Sequence, residues 1–312
     1  MSVPTSLPML AASNATAEPP AGNRTNGTSS GDQQVLIPHE LFLTLGVMSF
    51  VENLLVIAAI TRNHNLHSPM YYFICCLAVS DMLVSVSNLG ETLFILLIEH
   101  GLLVVELNMV KCVDYAMDML ICSSLMSSIS FLGIIAIDRY ITIFYALRYH
   151  SIMTAQRAVV VIVAVWLLSS VSSIVFIVYE SNAVILTVVV FFLSMIILIV
   201  GLYIHMFTLA HQHARRISSM QRKPPATHFT SMKGAVTLTI LLGVFFICWG
   251  PFFLHLILII TCPKHPTCRC YFRYFNLYLI LVICNSVVDP VIYAYRSQEL
   301  RKTLKEMVWC CW

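Results

Sequence analysis

Seven long apolar runs constrain what this chain can fold into more than any other feature. They fall at about 37–61, 69–98, 108–140, 157–179, 183–209, 233–261 and 271–295, and each supplies the roughly 20 apolar residues that a helix needs to cross a bilayer. With a mean hydropathy of +0.84 and only 11% of 312 residues charged, the apolar side chains cannot be hidden in one water-soluble core. The sequence therefore predicts an all-α membrane protein, a seven-transmembrane-helix bundle. A short amphipathic eighth helix follows in "SQELRKTLKEMV".

An odd number of spans puts the two ends on opposite sides. Of the 18 Lys and Arg, thirteen fall in one set of loops with the C-terminal tail and five in the other set. Basic residues accumulate on the cytoplasmic side, so the expected protein is a multi-pass plasma-membrane protein with its N-terminus external and its C-terminus cytoplasmic. The net charge of +3 is then a topology signal, and no nucleic-acid partner is expected. Residues 1–36 lack a basic stretch followed by an apolar one, so the first span is expected to direct insertion itself. That segment reads as a disordered external tail with acceptor sequons at Asn14, Asn23 and Asn26. Residues 37–295 form the membrane domain, and 296–312 an amphipathic helix with an acylated tail.

The eleven cysteines divide by compartment. Five lie in spans and read as packing residues. Cys310 and Cys311 follow the amphipathic stretch, where acylation would pin it to the inner leaflet lipid. On the oxidising side, "CPKHPTCRC" lets Cys262 and Cys268 close a small loop. Cys270 has a bond to Cys112, an intermolecular bond or a free thiol open to it.

Ionisable and amide groups at membrane depth are costly, so each is a functional candidate. Asn53, Asp81, Asn285 and Asp289 sit on stretches that must share an interior, either as a hydrogen-bonded packing network or as a small-cation site with sodium near Asp81. At the inner end of the third span, Asp138, Arg139 and Tyr140 place an acid beside a fork of donors that a rearranged bundle could release to a partner. Pro251, beside Trp249, and Pro290, below Asn285 and above Tyr293, each remove a backbone donor. They either hinge their helices or only shape a static bundle.

These elements in this order, from Asn53 and Asp81 through Asp138-Arg139-Tyr140, Trp166 and Cys248-Trp249-Gly-Pro251 to Asp289-Pro290-Val-Ile-Tyr293, resemble the rhodopsin-like G protein-coupled receptors. Longer strings such as "NLHSPMYYFICCLAVSDMLVS", "AIDRYITIFYALRYHSIMT" and "CWGPFFLHL" resemble the melanocortin receptors. Two departures from the wider class agree with that narrower likeness. The fifth span has no proline, and the loop before it shrinks to about "ESN" with no cysteine.

Glu91 lies ten residues beyond Asp81, so a helix carries it ~15 Å outward. That is the depth of Asp114 and Asp118, which lie four apart on one face of the third span. Three carboxylates in a partly dry cavity repel by several kcal/mol, about what Coulomb's law gives in a low dielectric, unless neutralised. The resemblance supplies the counter-charges. It implies the arginine of a melanocortin peptide hormone's His-Phe-Arg-Trp core, and a calcium ion on Glu91, Asp114 and Asp118 that bridges receptor and peptide. Phe252 and His255 are candidate contacts for the peptide's aromatic residues, though His255 could equally be an interior hydrogen-bonding residue. The likeness further implies coupling through the stimulatory heterotrimeric G protein to cyclic AMP, an agouti-type antagonist and a single-span accessory protein. A receptor of the same fold for another peptide is the nearest alternative. A transporter or channel would need broken helices or a continuous polar path, and no nucleophile and base at motif spacing suggest an enzyme.

Overall fold

The computed structural model describes residues 37–104, 106–179, 182–220, 226–262, 265, 268 and 271–310. Side chains are described for all of these except 146, 182, 210, 211, 213–242, 296 and 308–310. The expected sequons at Asn14, Asn23 and Asn26, together with Cys270, Cys311 and the Cys310 side chain, lie outside the described set.

Eight helices account for nearly all of it: α1 (His39–Arg62), α2 (Pro69–Glu99), α3 (Leu107–Phe144), α4 (Ala155–Val178), α5 (Asn182–Met220), α6 (Ala226–Thr261), α7 (Phe275–Arg296) and α8 (Gln298–Cys310). The first seven are each long and apolar enough to cross a membrane, and no strand occurs among the described residues. This is the seven-helix bundle with a short eighth helix that the apolar runs predict.

Helix ends differ from the sequence reading where apolarity stops being the deciding signal. α3 runs a turn past residue 140 to Phe144, α5 continues past residue 209 to Met220, and α6 begins before residue 233, at Ala226. A bilayer limits the apolar stretch of a helix, not its length. The seventh span begins later than expected, at Phe275, because a turn closed by the Tyr274 N–H on the Tyr271 carbonyl (3.1 Å) precedes it.

Burial separates interior helices from lipid-facing ones. In the most apolar window of α2 and of α7, 56% of residues are buried, against 50% in α3 and 11% in α4. α3 touches α2, α4 and α5, while α7 touches α1, α2 and α6. Most of the polar groups named above fall on α2, α3 and α7, while Asn53 on α1 and Trp249 and His255 on α6 are buried residues of less buried helices. A groove of about 420 Å³ between α3, α4 and α5 opens towards lipid beside exposed Leu168 and Val171, and contains none of the predicted site residues.

The inner half of the core gathers Val56, Ala59, Ile60, Leu66, Phe73, Phe131 and Leu300. Phe73 has no exposed surface. Phe73→Ala should therefore remove ~3–5 kcal/mol of stability, read as a large drop in the melting temperature of the purified protein. A change smaller than ~1 kcal/mol would show that this layer can collapse around the void.

Candidate functional site

The outer acids converge between α2 and α3. Glu91 and Asp118 are buried, Asp114 is half-buried, and Glu91 feels the charges of both aspartates. The helices pack closely at the adjoining residues, where a Cβ on Gly90 would lie 3.0 Å from the Met117 Cε. All the donors are hard carboxylate oxygens, which suits calcium and not zinc. Among the described residues, however, no three ligating side chains stand close enough together to hold an ion. The trio is an acidic wall that a ligand's own oxygens would have to complete.

Beside it, α6 and α7 share an aromatic layer. His255 is buried against Phe272, Phe275 and Tyr278, with ring centroids 5.2, 4.9 and 5.8 Å away. Its Nδ1 has no hydrogen-bond partner among the described residues. Phe252 stands edge-on to Trp249 at 6.4 Å, and Trp249 in turn stacks with Phe245 and Phe253 at 5.6 and 5.9 Å. Buried Trp249 thus links this aromatic layer to the core below.

The deeper polar groups form one network. Pro290 cannot donate to the carbonyl four residues earlier, that of Ser286. Asn53 supplies the missing donor from α1: its Nδ2 donates to the Ser286 carbonyl at 2.9 Å and to the Ser49 carbonyl at 2.9 Å. Ser286 Oγ donates to Asp81 Oδ1 at 3.2 Å, with Ser128 Oγ at 3.5 Å from the same atom. Ser85 Oγ donates to Ser49 Oγ at 2.7 Å, and Asn285 Nδ2 donates to Asp289 Oδ2 at 3.0 Å. Asp81 Oδ2, Asn53 Oδ1 and Asn285 Oδ1 are buried acceptors without a partner among the described residues. Asp81 and Asp289 also lie within electrostatic reach of each other. Tyr293 is buried in the inner core within reach of the same two charges.

At the inner end, buried Asp138 accepts from the Tyr149 hydroxyl at 2.9 Å. Arg139 acts electrostatically on Asp138 and reaches the Met70 sulfur on α2. Tyr140 packs with Phe144 and His205, at 4.5 and 5.6 Å. On the outer side Cys262 is disulfide-bonded to Cys268, and Cys112 is an exposed free thiol.

The motif reading missed Ser49, Ser85, Ser128, Ser286 and Tyr149. Serines are common in membrane helices; only helical spacing from Asn53, Asp81 and Pro290 marks Ser49, Ser85 and Ser286, and nothing marks Ser128 on α3. Tyr149 is signalled by nothing local, since it reaches Asp138 through the 3-10 turn Ala146–Arg148 that follows α3.

A family model described as "7 transmembrane receptor (rhodopsin family)" matches residues 52–293, from just before Asn53 to Tyr293. The chain belongs to the rhodopsin family of seven-transmembrane receptors. It is a G protein-coupled receptor, a multi-pass membrane protein that binds a ligand and signals through a heterotrimeric G protein. Receptors of this class are generally not enzymes.

Tyr149→Phe should raise basal nucleotide exchange on the G protein several-fold, because Asp138 loses the donor that holds it; unchanged basal exchange would remove that role. Burial first, then the Asp138 carboxylate, pushes the Tyr149 phenol up to about 12. A folded-state value above the usual ~10 means the bond is intact below pH ~10. It is then lost as pH rises through about 12. The wild type minus Tyr149→Phe absorbance titration should show that late midpoint rather than one near ~10.

Proposed function

We propose that this chain is a receptor for melanocortin peptides, melanocyte-stimulating hormone and corticotropin. It would signal through the stimulatory G protein and adenylate cyclase to raise cyclic AMP, with pigmentation as the physiological output. Its long sequence strings resemble most the type 1 melanocortin receptor. The observation that carries the reading is the acidic wall of Glu91, Asp114 and Asp118 at the outer end of α2 and α3. The connection between α4 and α5 is only three residues long, between Val178 and Asn182. A wide mouth over buried carboxylates suits a cationic peptide better than a lipid.

In this reading the peptide's arginine faces the acids, and its aromatic residues pack near Phe252 and His255. Calcium held by Glu91, Asp114 and Asp118 would supply positive charge shared with peptide oxygens. The unpartnered oxygens of Asp81, Asn53 and Asn285 fit a small hard cation such as sodium in the deeper network. An agouti-type antagonist would compete at the same mouth, and a single-span accessory protein would pack outside the bundle; both are carried by the family likeness alone. The external N-terminus rests instead on the distribution of basic residues among the loops, glycosylation at Asn14, Asn23 and Asn26 on their sequons, and acylation of Cys310 and Cys311 on the amphipathic stretch before them.

Activation is then a population shift. Peptide contacts on α2, α3 and α6 favour an arrangement in which Trp249 repacks and the inner half of α6 swings about Pro251. Arg139 and the fully exposed Leu147 on the inner loop then meet the G protein.

Cyclic AMP in cells expressing the chain, with and without melanocyte-stimulating hormone and calcium, tests the proposal. A hormone-dependent rise that calcium strengthens is expected, and no response despite confirmed surface expression would contradict it. Glu91→Lys places a cation inside the wall, so hormone affinity should fall about thirtyfold or more, ~2 kcal/mol or more. Its calcium dependence should vanish and basal cyclic AMP should rise. Unchanged affinity with or without calcium would remove the pocket assignment.

A further inference from the structure

The connection between α2 and α3 exposes apolar side chains that neither the bundle core nor the polar network uses. α2 stops in a turn closed by two hydrogen bonds: the Leu102 N–H donates to the Leu97 carbonyl and the Gly101 N–H to the Ile98 carbonyl, each at 3.0 Å. Gly101 takes the left-handed φ of 69° that this kind of helix stop requires. Such a stop ordinarily tucks the residue after the glycine against the last turn of the helix. Here Leu102 is 75% exposed and Val104 96%, and Leu107 and Met109 at the start of α3 are exposed as well. The backbone thus holds an apolar tip in place without burying it.

The tip stands clear of the hydrocarbon. Tyr71, near the inner end of α2, pairs with Ser297 just before α8 and marks the inner boundary of the bundle. Glu99 lies about 42 Å further along the helix, against a hydrocarbon core of ~30 Å. Exposed Glu99, His100 and Glu106 flank the tip. The same connection joins the outer ends of the two helices that carry the acidic wall. Glu91 lies about 12 Å along α2 from Glu99, and Asp114 about 10 Å along α3 from Leu107. Glu99, Glu106 and Asp114 outnumber Lys111, the one Lys or Arg from residue 99 to 114, so the wall and the rim of the tip share a negative sign. An extended peptide covers ~3.3 Å per residue. A side chain three or four positions from an arginine at the wall therefore reaches the tip.

We infer that the tip formed by Leu102 and Val104, with Leu107, docks an apolar side chain of the bound cationic peptide that lies outside its His-Phe-Arg-Trp core. The inference rests on the melanocortin reading above and adds to it a contact that the acids alone do not give. Charge fixes the arginine, and the tip recognises what flanks the core.

Binding to intact cells that express the full chain tests it, with melanocyte-stimulating hormone and the bare His-Phe-Arg-Trp tetrapeptide each competing against labelled hormone. With Leu102→Asn and Val104→Asn combined, hormone affinity should fall about tenfold, roughly the worth of one buried apolar side chain, while the tetrapeptide stays within about twofold of its wild-type affinity. Leu102→Met combined with Val104→Ile keeps the apolar area and should bind hormone as the wild type does. Both side chains are exposed, so surface expression should not change. Equal loss for the two peptides would overturn the inference, and so would unchanged hormone affinity in the Asn variant, the result expected of a tip covered by lipid. No hormone binding to the wild type would instead remove the melanocortin reading itself, and the tip assignment with it.

Discussion

The carbonyl that Pro290 leaves without its helical donor is the point on which the interior turns. In hydrocarbon an unsatisfied carbonyl costs several kcal/mol, so a proline deep in a span persists only if another helix closes the gap. Asn53 does so from α1 by donating to the Ser286 carbonyl, and Ser286 donates its own hydroxyl to Asp81 on α2. One missing N–H therefore ties three helices together. Ser128 brings in α3 through the same carboxylate.

A joint of this kind can have more than one arrangement. Among the described residues, Asp81 keeps one oxygen without a partner, as do Asn53 and Asn285. The network is closed around the proline and open around the acids. Above it, Trp249 and Phe252 connect to the layer that faces the outer carboxylates, and below it Tyr293 lies beside Asp289 in the inner core. Binding at the mouth and coupling at the inner face can bias the same polar centre without a rigid rod between them.

The helices, their number and the polar residues within them were legible in the sequence, because a bilayer imposes a length and makes each buried charge conspicuous. Asp81, Asp289 and the outer trio stand out for that reason. What could not be read was how they are satisfied. Asn53 marks itself by polarity, but its partner is a backbone carbonyl 233 positions away, and backbone atoms carry no sequence signal. The serines around Asp81 are too ordinary to notice, and Tyr149 meets Asp138 only because a helical turn brings it back. The later start of α7 was hidden because Tyr271, Phe272 and Tyr274 are aromatic enough to pass for span in spite of Arg273.

Double-mutant thermodynamics on Asn53 and Pro290 tests the central claim most directly, with melting of the purified receptor as the readout. Asn53→Ala alone should cost ~1–3 kcal/mol, since it strands the Ser286 carbonyl. In a Pro290→Ala background the backbone N–H returns to that carbonyl, and the same Asn53 change should cost at least ~1 kcal/mol less, a coupling of the size that contacting residues show. Additive effects of the two substitutions would contradict the account, because Asn53 would then not be closing the gap that the proline opens.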